Sequence, residues 1–592
     1  MGVKGLWNYV EHHNVQYAYP NKNARATCYG VNPRHLFIDM NAVLHMSYEP
    51  TKPTTAATLR AVVTRVDELL LRVRPEDTLV LVFDGVAPVL KIKTQKERRR
   101  SLPVNAPCPA SISSSPDKSN QQSTTAAAAT SGAISSAAYT SDLTRDGVPL
   151  RREEILCGSE FVLACEEYIT SHLQRRKAQQ QRQYSWRQLR VSGCRTAGEG
   201  EVKISGLLRQ LWAANVADGT YKPDDAITFV GNDSDLILVA MVATPYSYFT
   251  LVDPFDYSLT SLHELMEHWS NAVPNPPLSS ELLPSYRVDF VFLMLLAGSD
   301  YYEGIRADSV ALWRRYRHLR ANEGFFRRAL LSGPHLDLDL EFVRAVFARN
   351  GSMRAQLLRV PRNKRKTAKS ILRSGGGGGS SSATDGIRLL SAALWSLKSY
   401  VTGSCVDYRF RVPQEGGCPS VGSLRSAAQT RGLSRMIGAG ARSAAAEEEA
   451  NAETHPLFTP LEQCLAVLGM RGRYSLELRR ALHTCTADEG HTLTTSSSIT
   501  YMTETVRRIM AAVDASRLTT AERLLHTPSA LRAESVEGGG SEEGAFMLLA
   551  AIPPRKAAQA SPAVATDAKE DHSIDPSEGD PDEESGDGSA AS

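Results

Sequence analysis

The sequence predicts an α/β fold in which a central, mostly parallel sheet is flanked by helices. Three observations carry that expectation. The apolar runs His35-Leu36-Phe37-Ile38-Asp39, Leu79-Val80-Leu81-Val82-Phe83-Asp84 and Ile227-Thr228-Phe229-Val230-Gly231-Asn232-Asp233-Ser234-Asp235 read as strands of a parallel sheet, apolar throughout because helices cover both faces. Residues 59–73, between the first two runs, place apolar side chains at helical spacing, which gives βαβ texture. Each run ends in an acid, and ligands of open α/β sheets bind outside the carboxyl ends of the strands.

The chain has 592 residues, enough for a large core and more than one domain. Its formal charge of +2 neither argues for nor excludes nucleic acid, because an acidic cluster and an acidic tail can hide a basic groove in the sum. Nine scattered cysteines form no CxxC pair and no Cys/His ligand spacing, so neither a zinc module nor a disulfide framework is expected. That composition suits a reducing compartment, nuclear or cytoplasmic. The start, Met1-Gly2-Val3-Lys4-Gly5-Leu6, lacks a signal-peptide core and has Leu6 where myristoylation requires Ser or Thr; no run is long enough to span a membrane.

Composition divides the chain. Residues 1–100 and 154–313 carry globular patterning, including a helix expected over 161–182. Residues 101–153 are a Ser/Ala/Thr-rich insertion that buries too little apolar surface to offset ordering entropy. Residues 314–373 read as a helical connector ending near the basic run Arg362-Asn363-Lys364-Arg365-Lys366, a nuclear import signal or simple linker charge. A Gly/Ser linker follows at 374–385, then a second, helical region over 386–530 with a disordered loop at 414–454, then a disordered acidic tail at 531–592. No internal repeat is present. The insertion and the tail are the segments expected to hold protein partners, and the core is expected to be monomeric.

A fourth apolar run, Phe290-Val291-Phe292-Leu293-Met294-Leu295-Leu296-Ala297-Gly298-Ser299-Asp300, also ends in an acid. Gly198-Glu199-Gly200-Glu201 reads as a turn entering a helix, where both glutamates can face one cleft. In Asp233-Ser234-Asp235 the period-two spacing puts both acids on one side. One acid after a strand is ordinarily a helix N-cap, and Asp235 fits that description; Asp289 reads as a cap or a supporting residue. Seven together, Asp39, Asp84, Glu199, Glu201, Asp233, Asp235 and Asp300, would repel one another unless neutralised. Hard divalent cations are the expected neutraliser, and a pair of them about 3.5–4 Å apart cleaves phosphodiesters.

Directly after Asp84 the chain turns basic. If helical from about residue 90, Lys91, Gln95, Arg98 and Arg99 share one face and confront the acids. Such stretches are often only solvated faces, but here the placement favours a phosphate pocket, because the planar guanidinium suits phosphate oxygens.

Taken in order, these segments resemble the XRN family of 5′-3′ exoribonucleases. The resemblance rests on Met1-Gly2-Val3, Asp39-Met40-Asn41 through His45, Phe83-Asp84-Gly85-Val86-Ala87-Pro88 with its basic helix, Gly198-Glu199-Gly200-Glu201-Val202-Lys203-Ile204, and Asp233-Ser234-Asp235-Leu236-Ile237. Leu394-Trp395-Ser396-Leu397-Lys398-Ser399-Tyr400-Val401-Thr402-Gly403 and Phe458-Thr459-Pro460-Leu461-Glu462-Gln463 are similar to the family's second region. The resemblance implies a PIN/FEN-like nuclease core and two Mg²⁺ or Mn²⁺ ions on the seven acids. It also implies a 5′-monophosphate pocket at Lys91, Gln95, Arg98 and Arg99, Lys91 acting in catalysis, and His45 stacking on a base. The implied substrate is single-stranded RNA with a 5′-monophosphate, released as nucleoside 5′-monophosphates.

The sequence departs from the family at Gly298-Ser299-Asp300-Tyr301-Tyr302, which looks more like structure-specific flap nucleases than like the family's usual Gly-Asn-Asp-Phe, and Val406-Asp407-Tyr408-Arg409-Phe410 keeps only part of an aromatic stretch. Two rivals follow. A flap or junction DNA endonuclease would want helix-hairpin-helix glycines after Asp300, which residues 304–320 lack. A catalytically silent ribonucleoprotein scaffold would have no need of seven acids.

Overall fold

Strands buried on both faces assemble the sheet. It comprises β1 (Gln16–Tyr17), β2 (His35–Asp39), β3 (Thr78–Val82), β4 (Gln188–Ser192), β5 (Ile227–Val230), β6 (Phe249–Val252) and β7 (Leu259–Ser261), in the spatial order β1-β7-β6-β5-β2-β3-β4. Strands β4, β3, β2, β5 and β6 run parallel, and β7 and β1 close one edge antiparallel. Leu36, Ile38, Leu79 and Leu81 face one hydrophobic core, whereas Phe37, Val80, Val82 and Phe229 face the other. The mostly parallel α/β sheet expected from the three runs is the one observed.

The computed structural model describes residues 2–17, 32–100, 147–179, 184–271, 281–348, 382–412, 419–439, 455–486, 493 and 498–527, apart from residues 4, 52, 185, 306, 307, 323 and 334. The described residues all belong to one unit, Met1–Pro553. Among them no helix is long and apolar enough to cross a membrane, and the six described cysteines are free.

The helix expected over 59–73 is Thr55–Arg72, started by Thr54, whose side chain accepts from Ala57 N, and buried along Leu59, Val62, Val66, Leu69 and Leu70. The helix expected over 161–182 is Glu160–Ala178, capped by Ser159. The fourth apolar run is no strand but the helix Leu283–Leu295, buried on all sides, which explains why it shows no amphipathic period. Asp289 lies inside that helix and accepts from Leu330 N and Leu331 N at 2.8 and 3.2 Å and from Tyr316 Oη at 2.8 Å, so it supports the next segment rather than capping its own helix.

Several expected boundaries differ. Residues 147–153, assigned to the insertion, form a strap on the start of helix Thr55–Arg72: Thr55 N donates to Val148 O at 2.9 Å, Leu150 N to Pro53 O at 2.6 Å, and Leu150 is buried. The strap is too short for any periodic signal; residues 101–146 lie outside the described residues. The connector contains, besides helices Asp308–Asn322 and Leu340–Phe347, a hairpin of Leu331–Ser332 and Asp337–Leu338. The basic run, the glycine run and the acidic tail lie outside the described residues.

Within the segment read as a disordered loop, Val421–Ala428 and Leu433–Ala439 are helices that bury Leu424, Ala427, Ala428 and Leu433. Their small residues masked the pattern and are what permits the packing: a Cβ on Gly386 would collide with the Ser423 carbonyl. The second region is also divided between the two faces of the sheet. Helices Ala383–Thr402 and Val421–Ala428 join the core of Phe37 and Phe229, whereas Pro460–Leu468, Leu476–Thr486 and Ile499–Ala512 join that of Leu36 and Ile38.

Candidate active site

The register brings the strand-end acids to one edge. Ile38 pairs with both Leu81 and Val230, so Asp39, Asp84 and the Gly231–Asp235 segment leave the sheet side by side. Asp39 turns back to accept from Asn41 N at 3.0 Å, capping helix Met40–Ser47. Asn41 Nδ2 in turn donates to Asp84 Oδ2, and Gly200 N donates to Asp84 Oδ1 at 2.7 Å. The capping role and membership of the cluster are therefore compatible at Asp39.

The glycines of the Gly-Glu-Gly-Glu turn make the approach possible. Gly85 N bonds Gly198 O at 2.8 Å and Gly198 N bonds Val86 O at 2.9 Å, with Gly198 at φ +105° and Gly85 so close to the Thr196 carbonyl that a Cβ would collide. Lys203 fixes the same turn from below: its buried Nζ donates to Phe83 O at 2.6 Å and Gly193 O at 2.7 Å, tying the ends of β3 and β4 together beside Asp84. Glu199 occupies the N-cap position of helix Gly200–Ala217 without capping it, and Glu201 lies in its first turn. Asp235 is the first residue of helix Asp235–Val242 and not its cap; its Oδ1 is buried without a hydrogen-bond partner.

Electrostatics bind these groups into one cluster. Burial, then Asp84, Glu201 and Asp233, raise the Asp39 pKa well above the carboxylate range. Burial followed by Asp233 and Glu201 does the same to Asp235, and burial and Glu201 raise Asp233. Glu199 is also raised well above its ordinary value, by burial first, with Lys91 opposing and Glu201 and Asp84 adding. Asp300 differs. Burial would raise its pKa, but Lys91 and Arg98 outweigh burial and lower it.

The basic helix is Val89–Arg100. Lys91 Nζ lies 2.7 Å from Glu199 Oε2 and 3.5 Å from Asp300 Oδ2, and Arg98 Nη2 lies 2.7 Å from Asp300 Oδ1. These two face the acids. Arg99 turns aside, donating to Gln95 O at 3.1 Å and Ile155 O at 3.4 Å, with its Nε buried and unpartnered; burial pushes its pKa down to about 10. Gln95 is buried with Oε1 unpartnered. His45 is half-buried with Nδ1 unpartnered; burial, then Arg99 and Arg152, push its pKa down to about 4. The four residues expected to act as one face thus divide: Lys91 and Arg98 meet carboxylates, Arg99 turns to backbone carbonyls within the electrostatic reach of His45, and Gln95 is buried.

Tyr301 escaped the sequence reading. Its hydroxyl stands 2.8 Å from both Glu199 Oε2 and Glu201 Oε1, its ring lies 5.0 Å from Lys91 Nζ, and Trp395 packs edge-on against it at 5.3 Å. The one available signal was the departure from the expected Phe after Asp300. The second region reaches the site from behind: Gln463 Oε1 accepts from Ala87 N at 2.8 Å, and Val89 N donates to Tyr408 O at 3.0 Å.

Hard cations fit this donor set. It is all oxygen, its charges oppose one another, and Glu199 Oε1 and Asp235 Oδ1 are buried with no partner. Among the described residues, no three His, Cys, Asp or Glu side chains are drawn around one cation-sized point; the carboxylates are instead turned onto Asn41, Gly200, Tyr301, Lys91 and Arg98.

The sheet with the acids at its carboxyl edge is a mostly parallel α/β core. Residues 1–253 match the family described as XRN 5′-3′ exonuclease N-terminus. Curated relatives include 5′-3′ exoribonuclease 2 of Arabidopsis thaliana, 25% identical over 239 residues (39% of this chain, 21% of that protein). Others are 5′-3′ exoribonuclease 1 of Saccharomyces cerevisiae, 24% identical over 215 residues (35% and 12%), and 5′-3′ exoribonuclease 2 of Schizosaccharomyces pombe, 26% identical over 229 residues (38% and 20%). Residues 1–253 are thus similar to the amino-terminal region of the XRN family, and the chain matches between 12% and 21% of the length of these relatives. A solved structure of the catalytic core of Rad2 in complex with DNA substrate matches at 12% identity and TM-score 0.30, covering 74% of this chain and 95% of that one; a likeness this low adds nothing to the fold read from the sheet.

Proposed function

We propose that the protein is a divalent-cation-dependent 5′-3′ exoribonuclease that removes nucleoside 5′-monophosphates from 5′-monophosphorylated single-stranded RNA. The observation that carries this reading is the junction of acids and bases: Lys91 and Arg98 of one helix contact Glu199 and Asp300 at 2.7–3.5 Å, beside Asp39, Asp84, Glu201, Asp233 and Asp235. The XRN relatives, named as 5′-3′ exoribonucleases, support the polarity and the substrate class.

Asp39, Asp84, Glu199, Glu201, Asp233, Asp235 and Asp300 would hold two Mg²⁺ or Mn²⁺ ions, which when bound supply an activated water and Lewis-acid stabilisation of the leaving oxygen. The chain's own residues do the rest. Lys91 offsets charge developing on the scissile phosphate from a position fixed by Glu199. Arg98, with Gln95 and Arg99 deeper in the pocket, receives the 5′-phosphate, and His45 lies on the Arg99 side where a base would stack. The floor of the pocket is closed by the second region, where Arg471 Nη1 donates to Arg99 O at 3.0 Å and Gln463 holds Ala87, so the strand end is held while duplex is kept out.

The test is digestion in Mg²⁺ of matched 5′-monophosphate RNA, 5′-hydroxyl RNA, single-stranded DNA and flap DNA. Stepwise loss of the first alone is expected. Cutting of the flap alone would replace this reading with a structure-specific DNA endonuclease, and no cutting of any substrate would favour a silent scaffold.

A further inference from the structure

A single side chain engages both cations that face the crevice. Asp300 accepts from Arg98 Nη2 through Oδ1 at 2.7 Å and lies 3.5 Å from Lys91 Nζ through Oδ2. Midway along the same helix face, Thr94 Oγ1 donates to the Asp300 carbonyl at 2.9 Å. Asp300 therefore lies along the basic helix with one carboxylate oxygen for each cation, as a phosphate bridging Lys91 and Arg98 would. The Arg98 side chain is 37% exposed, so an incoming anion can reach it. A 5′-phosphate and Asp300 contend for the same donors, and the planar guanidinium offers its best fork to only one of them.

The loop that bears Asp300 leaves its backbone little freedom. Gly298, at φ +87°, packs against Gly304 so closely that a Cβ would collide, and Ser299 N bonds Tyr302 O at 3.1 Å. With the backbone fixed, the Asp300 carboxylate changes partner by rotating its side chain alone. Its charge also contributes to the field at Asp235, so the acid cluster is within its electrostatic reach.

Resting on the reading of this face as the 5′-phosphate pocket, we propose that Asp300 is a specificity-determining residue that couples cation binding to recognition of the 5′ end. On the helix it excludes the phosphate; drawn to a cation among the acids, it yields Arg98 and Lys91 to the phosphate. The requirement for a 5′-monophosphate then exists only when the cation site is filled.

The test measures equilibrium binding, by fluorescence anisotropy, of two oligoribonucleotides that differ only in a 5′-monophosphate or 5′-hydroxyl, to the full chain in EDTA and in Ca²⁺. Wild type is expected to prefer the monophosphate by about tenfold in Ca²⁺ and by less than about twofold in EDTA, and Asp300→Asn by about tenfold in EDTA. Adding Arg98→Ala to Asp300→Asn should abolish the preference, and unchanged melting of Asp300→Asn in EDTA shows that it folds. An equal preference of wild type in both media, or an Asp300→Asn variant no more selective in EDTA than wild type, overturns the coupling and leaves the pocket standing. Absence of any preference under every condition overturns the pocket itself, and the coupling with it.

Discussion

The Tyr301 hydroxyl stands 2.8 Å from Glu201 Oε1, and the same oxygen stands 2.8 Å from Glu199 Oε2. Two carboxylates of one helix turn are therefore held within reach of a single phenol. Tyr301→Phe keeps the ring against Trp395 and Lys91 but removes this tie. Mn²⁺ affinity, followed by electron paramagnetic resonance, should weaken about tenfold, with turnover at saturating Mn²⁺ within about threefold of wild type. Unchanged Mn²⁺ affinity would mean that Tyr301 is only a packing residue.

Asp235 is buried, and burial together with Asp233 and Glu201 opposes its charge. Asp235→Asn should therefore stabilise the metal-free protein by about 1–2 kcal/mol while abolishing nuclease activity. Urea unfolding in EDTA reads the first effect. The upward shift in melting temperature that Mg²⁺ gives the wild type should also be lost, because a ligand stabilises only the state that binds it.

How much of this was legible in the sequence follows from what each residue has to do. Asp39, Asp84 and Asp233 could be read because a buried parallel strand leaves an unmistakable apolar run, and the end of that run fixes where the next side chain goes. Lys91 and Arg98 could be read because helical spacing puts them on one face. Arg99 could not: a long side chain one step round the helix chooses between two neighbourhoods, and only the Ile155 carbonyl, brought from far along the chain, decides which. Tyr301 reads as a core aromatic until its hydroxyl is seen between two glutamates. The short strand β1 pairs with residues more than 240 positions away, so local pattern carried no trace of it, whereas β6 and β7 pair with each other across a short loop and were simply not read from the sequence.

Gln463 joins the second region to the site, its Oε1 accepting from the buried Ala87 N, three residues after Asp84. Gln463→Leu leaves that amide without an acceptor and should cost about 1–3 kcal/mol. Chemical denaturation measures the loss. Because the strand that carries Asp84 stays paired in the sheet, cation binding should change less than stability does.

His35 supplies a pH dependence. Burial, then Arg34, push its imidazole down to about 4, and Asn215 Nδ2 lies 3.2 Å from His35 Nε2, a contact that suits a neutral ring accepting from the amide. The unfolded chain takes up this proton from about pH 6.5 downward, the folded one only near 4. The contribution of His35 is therefore complete above about pH 6.5 and is lost as pH falls towards 4, by about 3 kcal/mol. His35→Gln should flatten that part of the stability profile between pH 7 and 4.5, measured by urea unfolding.

The central claim is that acids from separate strands and loops make one site for paired cations. Anomalous diffraction from crystals soaked in Mn²⁺ tests it most directly. Two peaks about 3.5–4 Å apart among Asp39, Asp84, Glu199, Glu201, Asp233, Asp235 and Asp300 are predicted. Well-ordered carboxylates with no Mn²⁺ peak between them would contradict it.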